Sequence, residues 1–230
     1  MLDAYNRKAR LTPAILAALP GLLFLVAAAV KPTPESSLGA AVLAALTLLI
    51  CTLVRDRGRR IESGLWERWG GPPTSLRLRW RPTDTQAKAR SLHEQVTAAT
   101  GVALPDAVGQ ASSPTEADRV YEQAVLVLRE RTRDPAAFPL IAAENAEYGF
   151  RRNLLGLRPL ALAGAAITLV ASSVLLADGH ARFVVPALAS VAAGGVWLWL
   201  IGPGWVRLAA ERYADRLLGA AVTLNAGSAS

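Results

Sequence analysis

The chain has 230 residues, of which 52% are hydrophobic, and carries a formal charge of +7. Such an average fits a soluble domain as well as a membrane protein, so the distribution of charge has to decide. The single cysteine, Cys51, excludes an intrachain disulfide, a redox pair and a cysteine-based zinc site.

Four stretches, 11–30, 38–54, 160–177 and 183–201, contain no Asp, Glu, Lys, Arg or His. As helices of 17 to 20 residues they reach about 25–30 Å, the thickness of a bilayer's hydrocarbon core. They are apolar all round, whereas helices of a soluble bundle keep a polar face. The first stretch follows Arg7, Lys8 and Arg10, as a signal peptide does. It outruns an ordinary signal core, however, and a second apolar run follows closely, so it reads as a retained helix. Pro20-Gly21 is expected to kink it.

The second helix is expected to leave the membrane and run from Arg55 to about Trp69. Trp66 and Trp69, among Arg59, Arg60 and Arg68, suit the headgroup layer. Gly70-Gly71-Pro72-Pro73 stops the helix, with Thr74 and Ser75 as loop. Leu76-Arg77-Leu78-Arg79-Trp80-Arg81 alternates as a strand does, over few residues. A helix at 88–100 ends at Gly101, and 102–112 reads as small-residue loop. Ser113-Pro114-Thr115-Glu116 joins an N-cap serine to a first-turn proline and glutamate. The helix it starts runs to about Arg131, burying Val120, Ala124, Val127 and Leu128 with Tyr121 and Val125 alongside. Asp134-Pro135 closes it.

A last helix from Pro139 to Asn153 leads into the third apolar stretch. Glu147 and Arg151 stand one turn apart as an ion pair. Gly149 is unusual inside a helix, and Gly156 and Pro159 mark a bend. Tyr148, Gly149, Phe150, Arg151 and Arg152 therefore read either as an anchor in the membrane interface or as a hinge. Small residues recur at helical spacing inside the apolar stretches: Ala41 and Ala45, then Ala161, Ala165, Thr168 and Ser172, then Ala187, Ser190 and Gly194. They let helix backbones approach closely. Thr168, Ser172, Ser190 and Gly194 serve either packing within one subunit or the lining of a pore in a homo-oligomer. The lack of intramembrane charge argues against a proton relay or an ion-coupled transporter, though not against a narrow apolar gate.

Between Arg55 and Arg158 lie 17 basic and 13 acidic residues, and both outer hairpins are short and neutral. The positive-inside rule then puts both termini and this segment in the cytoplasm of a cell inner membrane. The expected fold is an all-α membrane protein with four transmembrane helices. Its parts are a tail and first hairpin (1–54), a mainly helical cytoplasmic domain (55–158), a second hairpin (159–205) and a cytoplasmic tail (206–230).

No catalytic, cofactor-binding or metal-ligating set stands out. His93 precedes Glu94 but lacks the second histidine of a zinc-protease motif, and His180 falls in an outer hairpin. Both read as solvated surface residues. No phosphate loop, dinucleotide fingerprint or nucleophile elbow is present, so neither enzyme activity nor a cofactor is expected. A net +4 over 104 residues is a weak footprint for nucleic acid.

Trp69-Gly70-Gly71-Pro72-Pro73-Thr74, and Tyr148-Gly149-Phe150-Arg151-Arg152-Asn153 within 144–157, resemble an uncharacterised bacterial family. Its small four-helix integral membrane proteins carry Trp-Gly-Gly-x-Pro-Thr and Tyr-Gly-Phe-Arg-Arg-Asn segments, the latter just before the third helix. The likeness spans about 55–160 and the helix layout. The architecture is also similar to that of membrane effectors in defence operons, an analogy of layout alone. Two functions are therefore carried forward. One is an oligomeric channel or membrane-disrupting effector, controlled by its cytoplasmic domain. The other is a membrane scaffold or accessory subunit whose domain docks a cytoplasmic protein. A nucleotide ligand is a further candidate partner, beside the lipid bilayer.

Overall fold

The computed structural model describes residues 7–28, 37–81 and 85–228, with side chains at 8–28, 52–81 and 85–226. The described backbone consists of helices and turns. A π-helical turn, Arg7–Leu11, leads into α1 (Thr12–Ala28). Then come α2 (Ser37–Trp69), α3 (Pro73–Leu78), α4 (Gln86–Thr100), α5 (Ala107–Ser112), α6 (Pro114–Arg131) and α7 (Pro139–Ala177). A 3-10 turn, Ala181–Phe183, opens α8 (Val184–Gly195), a π turn, Val196–Leu200, extends it, and α9 (Pro203–Ser228) ends the chain. The chain divides into two compact units: Met1–Ser63 with Ala146–Val206, and Gly64–Asn145 with Arg207–Ser230.

Among the described residues, three stretches are long and apolar enough to cross a membrane: Lys8–Ala28, the helix Pro139–Ala177, which enters the first unit at Ala146, and Ala181–Leu200. They mark the chain as a membrane protein. The expected second span falls in α2, where the side chains of 37–51, with Ala41 and Ala45, lie outside the described residues. Packing is sorted by size. Along α7, Ala161, Ala165, Thr168 and Ser172 are 0–7% exposed, whereas Ile167, Val170 and Val174 are 56–71% exposed. Water would penalise such an outward face. Lipid does not, and small inward residues let the helices close on one another. Val54, Leu154, Leu157, Ala161, Trp197 and Ile201 form the buried cluster at one end. Phe24 meets Phe183 at 5.2 Å between ring centroids.

The second unit is built as a soluble helical domain is. Leu78, Val96, Ala99, Ala117, Tyr121, Ala124, Val125, Leu128 and Ile141 make a core with Leu217, Leu218, Ala220 and Ala221. The stretch expected as a C-terminal tail thus supplies one wall of that core. Arg212 reaches Glu144 at 3.7 Å, and Asn225 Nδ2 donates to the Gln95 carbonyl at 3.0 Å. α6 spans the expected residues with Pro114 in its first turn, although the Ser113 side chain makes no capping hydrogen bond, and it buries Ala117, Tyr121, Ala124, Val125 and Leu128. Val120 and Val127, expected inside, are half-buried. α4 ends at Gly101, whose φ of 73° is left-handed and glycine-favouring.

Two local expectations fail. Residues 73–78 form a helix, neither a Thr74-Ser75 loop nor the start of a strand. Proline in the first turn of α3 supplies helical φ, and the Leu76 N–H closes on the Pro72 carbonyl at 2.9 Å. Arg79 then leaves in extended conformation. One helical turn followed by an extended exit produced the alternating pattern. The supposed loop at 102–112 contains α5, capped by Asp106 Oδ1, which accepts from the Gly109 N–H at 2.7 Å.

Candidate functional site

Where the apolar surface of the first unit ends, polar residues of α7 fall on two adjacent faces. Glu147 and Arg151 share one face, and Tyr148 and Arg152 the next. On the first, Glu147 accepts from Arg151 Nε at 2.7 Å and meets Lys8 Nζ at 3.0 Å. Arg151 also donates to the Trp205 carbonyl at 3.1 Å, and its guanidinium lies 4.5 Å from the Trp205 ring centroid. Phe150 adds an edge contact to that ring at 6.3 Å. On the second, one oxygen of Glu62 accepts both Arg152 Nη1 and the Tyr148 hydroxyl, each at 2.7 Å. The Arg152 and Glu62 side chains are only 11% and 17% exposed.

One residue further along, Asn153 is buried and donates to the Ala9 carbonyl at 2.6 Å. Its Oδ1 has no hydrogen-bond partner among the described residues. Beside it two glycines meet. A Cβ on Gly156 would stand 2.9 Å from the Gly58 nitrogen and 3.0 Å from the Arg57 carbonyl carbon, and one on Gly58 would collide with the Asn153 amide. The cluster thus joins the Arg7–Leu11 turn, α2, α7 and the start of α9 within the first unit. It can hold segments in register. Its two half-buried carboxylates are both engaged by cations, Glu62 by Arg152 beside the Tyr148 hydroxyl and Glu147 by Arg151 and Lys8, which leaves them poorly suited to act as bases.

Of the sequence-predicted residues, Tyr148, Phe150, Arg151 and Arg152 come together here, with Gly149 buried among them in sequence. Trp66 and Trp69 fall in the second unit and are half-buried. Trp66 Nε1 lacks a hydrogen-bond partner among the described residues. Thr168, Ser172 and Ser190 are buried, and Ser190 Oγ donates to the Pro186 carbonyl at 2.7 Å. Gly194 differs, since a Cβ there meets no atom of the described residues within 4 Å. The sequence did not single out Gly58, Glu62 or Trp205, and named Lys8 only as part of a basic start and Asn153 only as the end of a helix and of a resembled segment. Glu62, one of three acids beside the basic residues of 55–68, carried no distinguishing signal.

His93, expected on the surface, is instead buried in the second unit. Its Nε2 lies 2.7 Å from the Leu78 carbonyl, and its ring packs against Trp80 at 4.7 Å and Tyr121 at 5.8 Å. Burial holds the imidazole below its ordinary range, against the pull of the Leu78 and Pro105 carbonyls. The Tyr121 hydroxyl is pushed up to about 12, by burial first and then by the Asp118 carboxylate. It stays protonated and donates to Gln110 Oε1 at 2.9 Å, the same oxygen that accepts the Trp80 N–H at 2.8 Å. His93 is therefore a packing residue of that core.

No protein-family model matches the chain, and searches of curated proteins and of solved structures give no match.

Proposed function

We propose that the chain is a four-span inner-membrane scaffold, with both termini in the cytoplasm, whose helical domain docks a cytoplasmic protein. The observation that carries this reading is the burial of Thr168, Ser172 and Ser190 inside one chain, with large apolar side chains turned outward. The pore reading needed that weakly polar stripe to face water. With the stripe enclosed and the charges of the junction paired internally, the membrane part reads as an anchor. The exposed chemistry is then left to the second unit. Placement in the cytoplasm rests on Arg57, Arg59 and Arg60, which stay exposed beyond the second apolar stretch. Membership of the Trp-Gly-Gly-x-Pro-Thr family belongs to the same proposal.

Reconstitution in liposomes tests it. The expected outcome is no ion flux or dye release above protein-free vesicles at any protein-to-lipid ratio that keeps the vesicles intact. Flux that scales with protein and is altered by Ser172→Leu would overturn the scaffold reading in favour of the effector.

A further inference from the structure

α3 and its extended exit carry Arg77, Arg79 and Arg81 at alternate positions. All three, with Lys88 from the first turn of α4, border one cavity of about 420 Å³ in the second unit. That volume lies within the range of small-molecule sites, about 300–1,000 Å³. The four cations are not equivalent. Arg79 is gripped by Asp118 through two bonds of 2.7 Å and by the Gly70 carbonyl at 2.9 Å. Arg77 meets Asp215 at 2.9 Å. Arg81 donates only to the Leu76 carbonyl, at 2.6 Å, and neither it nor Lys88 has a carboxylate partner among the described residues. Among the described residues, four cations against two carboxylates leave an excess of two positive charges at one concave surface. A chain-wide excess of basic residues spreads its charge over convex faces, whereas here it is gathered around a hollow.

The rest of the wall suits a particular kind of anion. Ser91 and Gln95, one turn apart and hydrogen-bonded at 3.1 Å, add neutral polar groups. Leu92 and Leu218 supply an apolar side. α4 begins here without a side-chain cap at Thr85 and without an acid in its first turn, so no described carboxylate of the helix itself offsets the positive end of its dipole. Guanidinium and ammonium groups at the mouth of a small, partly apolar hollow recognise phosphate with an organic group attached.

We propose that this cavity binds a phosphorylated small molecule, with phosphate held at Arg81 and Lys88 and the organic part laid against Leu92 and Leu218. The proposal goes beyond scaffolding and does not depend on the orientation in the membrane or on any protein partner.

Calorimetric titration of the full chain in detergent tests it, with inorganic phosphate, a nucleoside monophosphate, a nucleoside triphosphate and a sugar phosphate as probes. A separate arm measures flotation with vesicles of neutral lipid, with and without an anionic phospholipid. The expected result is binding of at least one organic phosphate more tightly than inorganic phosphate. Arg81→Glu with Lys88→Glu should weaken it by about tenfold or more, while Arg119→Glu, an exposed reversal away from the cavity, leaves it unchanged. Arg81→Gln with Lys88→Gln should show the same loss and serves if the reversed pair melts early. Failure of every soluble phosphate to bind, unchanged affinity in both double variants, or binding confined to anionic vesicles would each overturn the proposal.

Discussion

Two ion pairs show how differently the same chemistry acts in this molecule. Arg133 and Glu130 lie 3.7 Å apart with 83% and 65% of their side chains exposed. Water and salt screen such a pair, and it contributes about 0–1 kcal/mol. Arg152 and Glu62 are mostly buried, so removing one partner strands a desolvated charge at a cost of about 3–5 kcal/mol. Arg152→Ala should therefore lower the melting temperature of the detergent-solubilised protein sharply, and Arg133→Ala should barely move it. Equal effects would mean that the Glu62 pair is hydrated. This pair was not legible in the sequence, because its members stand 90 positions apart. The Glu147–Arg151 pair was legible, because a helix brings residues four apart together whatever the rest of the chain does. His93 adds a pH test. Its folded-state pKa is depressed below the ordinary 6.5, so on acidification the unfolded chain takes up the proton first. Stability present above pH 6.5 is then lost as pH falls through that value towards the folded pKa. Melting temperatures between pH 7.5 and pH 5, a window of about one unit above and one and a half below that value, should slope downward in the wild type. The slope should be shallower in His93→Gln, whatever its absolute stability. Parallel slopes in the two proteins would sink this assignment.

At the scale of elements, glycine acts where helices cross. Gly156 faces the backbone of Arg57 and Gly58, and backbone cannot step aside as a side-chain tip can. Gly156→Ala should force α2 and α7 apart and cost about 1–3 kcal/mol. Gly64→Ala, on the same α2 with open space around it, should be neutral or stabilise by up to about 1 kcal/mol through helix propensity. Thermal melts of both variants check the contrast, and a neutral Gly156→Ala would refute the close crossing. Gly194 behaves differently: no described atom lies within 4 Å of a Cβ there, so Gly194→Leu should leave the monomer's fold intact. Any change in its detergent-corrected mass would report a subunit contact on that face. The elements themselves were legible to different degrees. α6 carried its start signal and a clean apolar face. α5 was missed because Ala107 to Ser112 lacks large apolar residues, although Asp106 was a cap in plain view. The Leu76–Arg81 alternation misled because six residues hold too few periods to separate a strand from one turn of helix and its exit.

At the scale of the whole chain, length and hydropathy made the membrane segments legible, since both are local properties. The place of residues 207–230 was not legible. Their helix contributes to a core shared with residues 64–145, and only tertiary contacts across more than a hundred positions reveal it. Orientation is a global property of another kind, set by the charges at the membrane's two faces, and it gives the last prediction. Exposed Arg57, Arg59 and Arg60 should hold that end of α2 inside, and the turn between α7 and α8 should then emerge outside. His180 is the place to probe that turn. It is exposed with an ordinary φ of −85°, whereas Gly179 has a φ of +89° that a cysteine would strain. Ser112 is an exposed probe of the second unit. In a Cys51→Ala background, His180→Cys should react with an impermeant thiol reagent added to intact cells, and Ser112→Cys only after the membrane is opened. The reverse pattern would place the second unit outside, where cytoplasmic proteins cannot reach it, and would remove the scaffold function as proposed. The phosphate cavity would survive that outcome, because its residues all lie within one unit and do not depend on which side of the bilayer faces them.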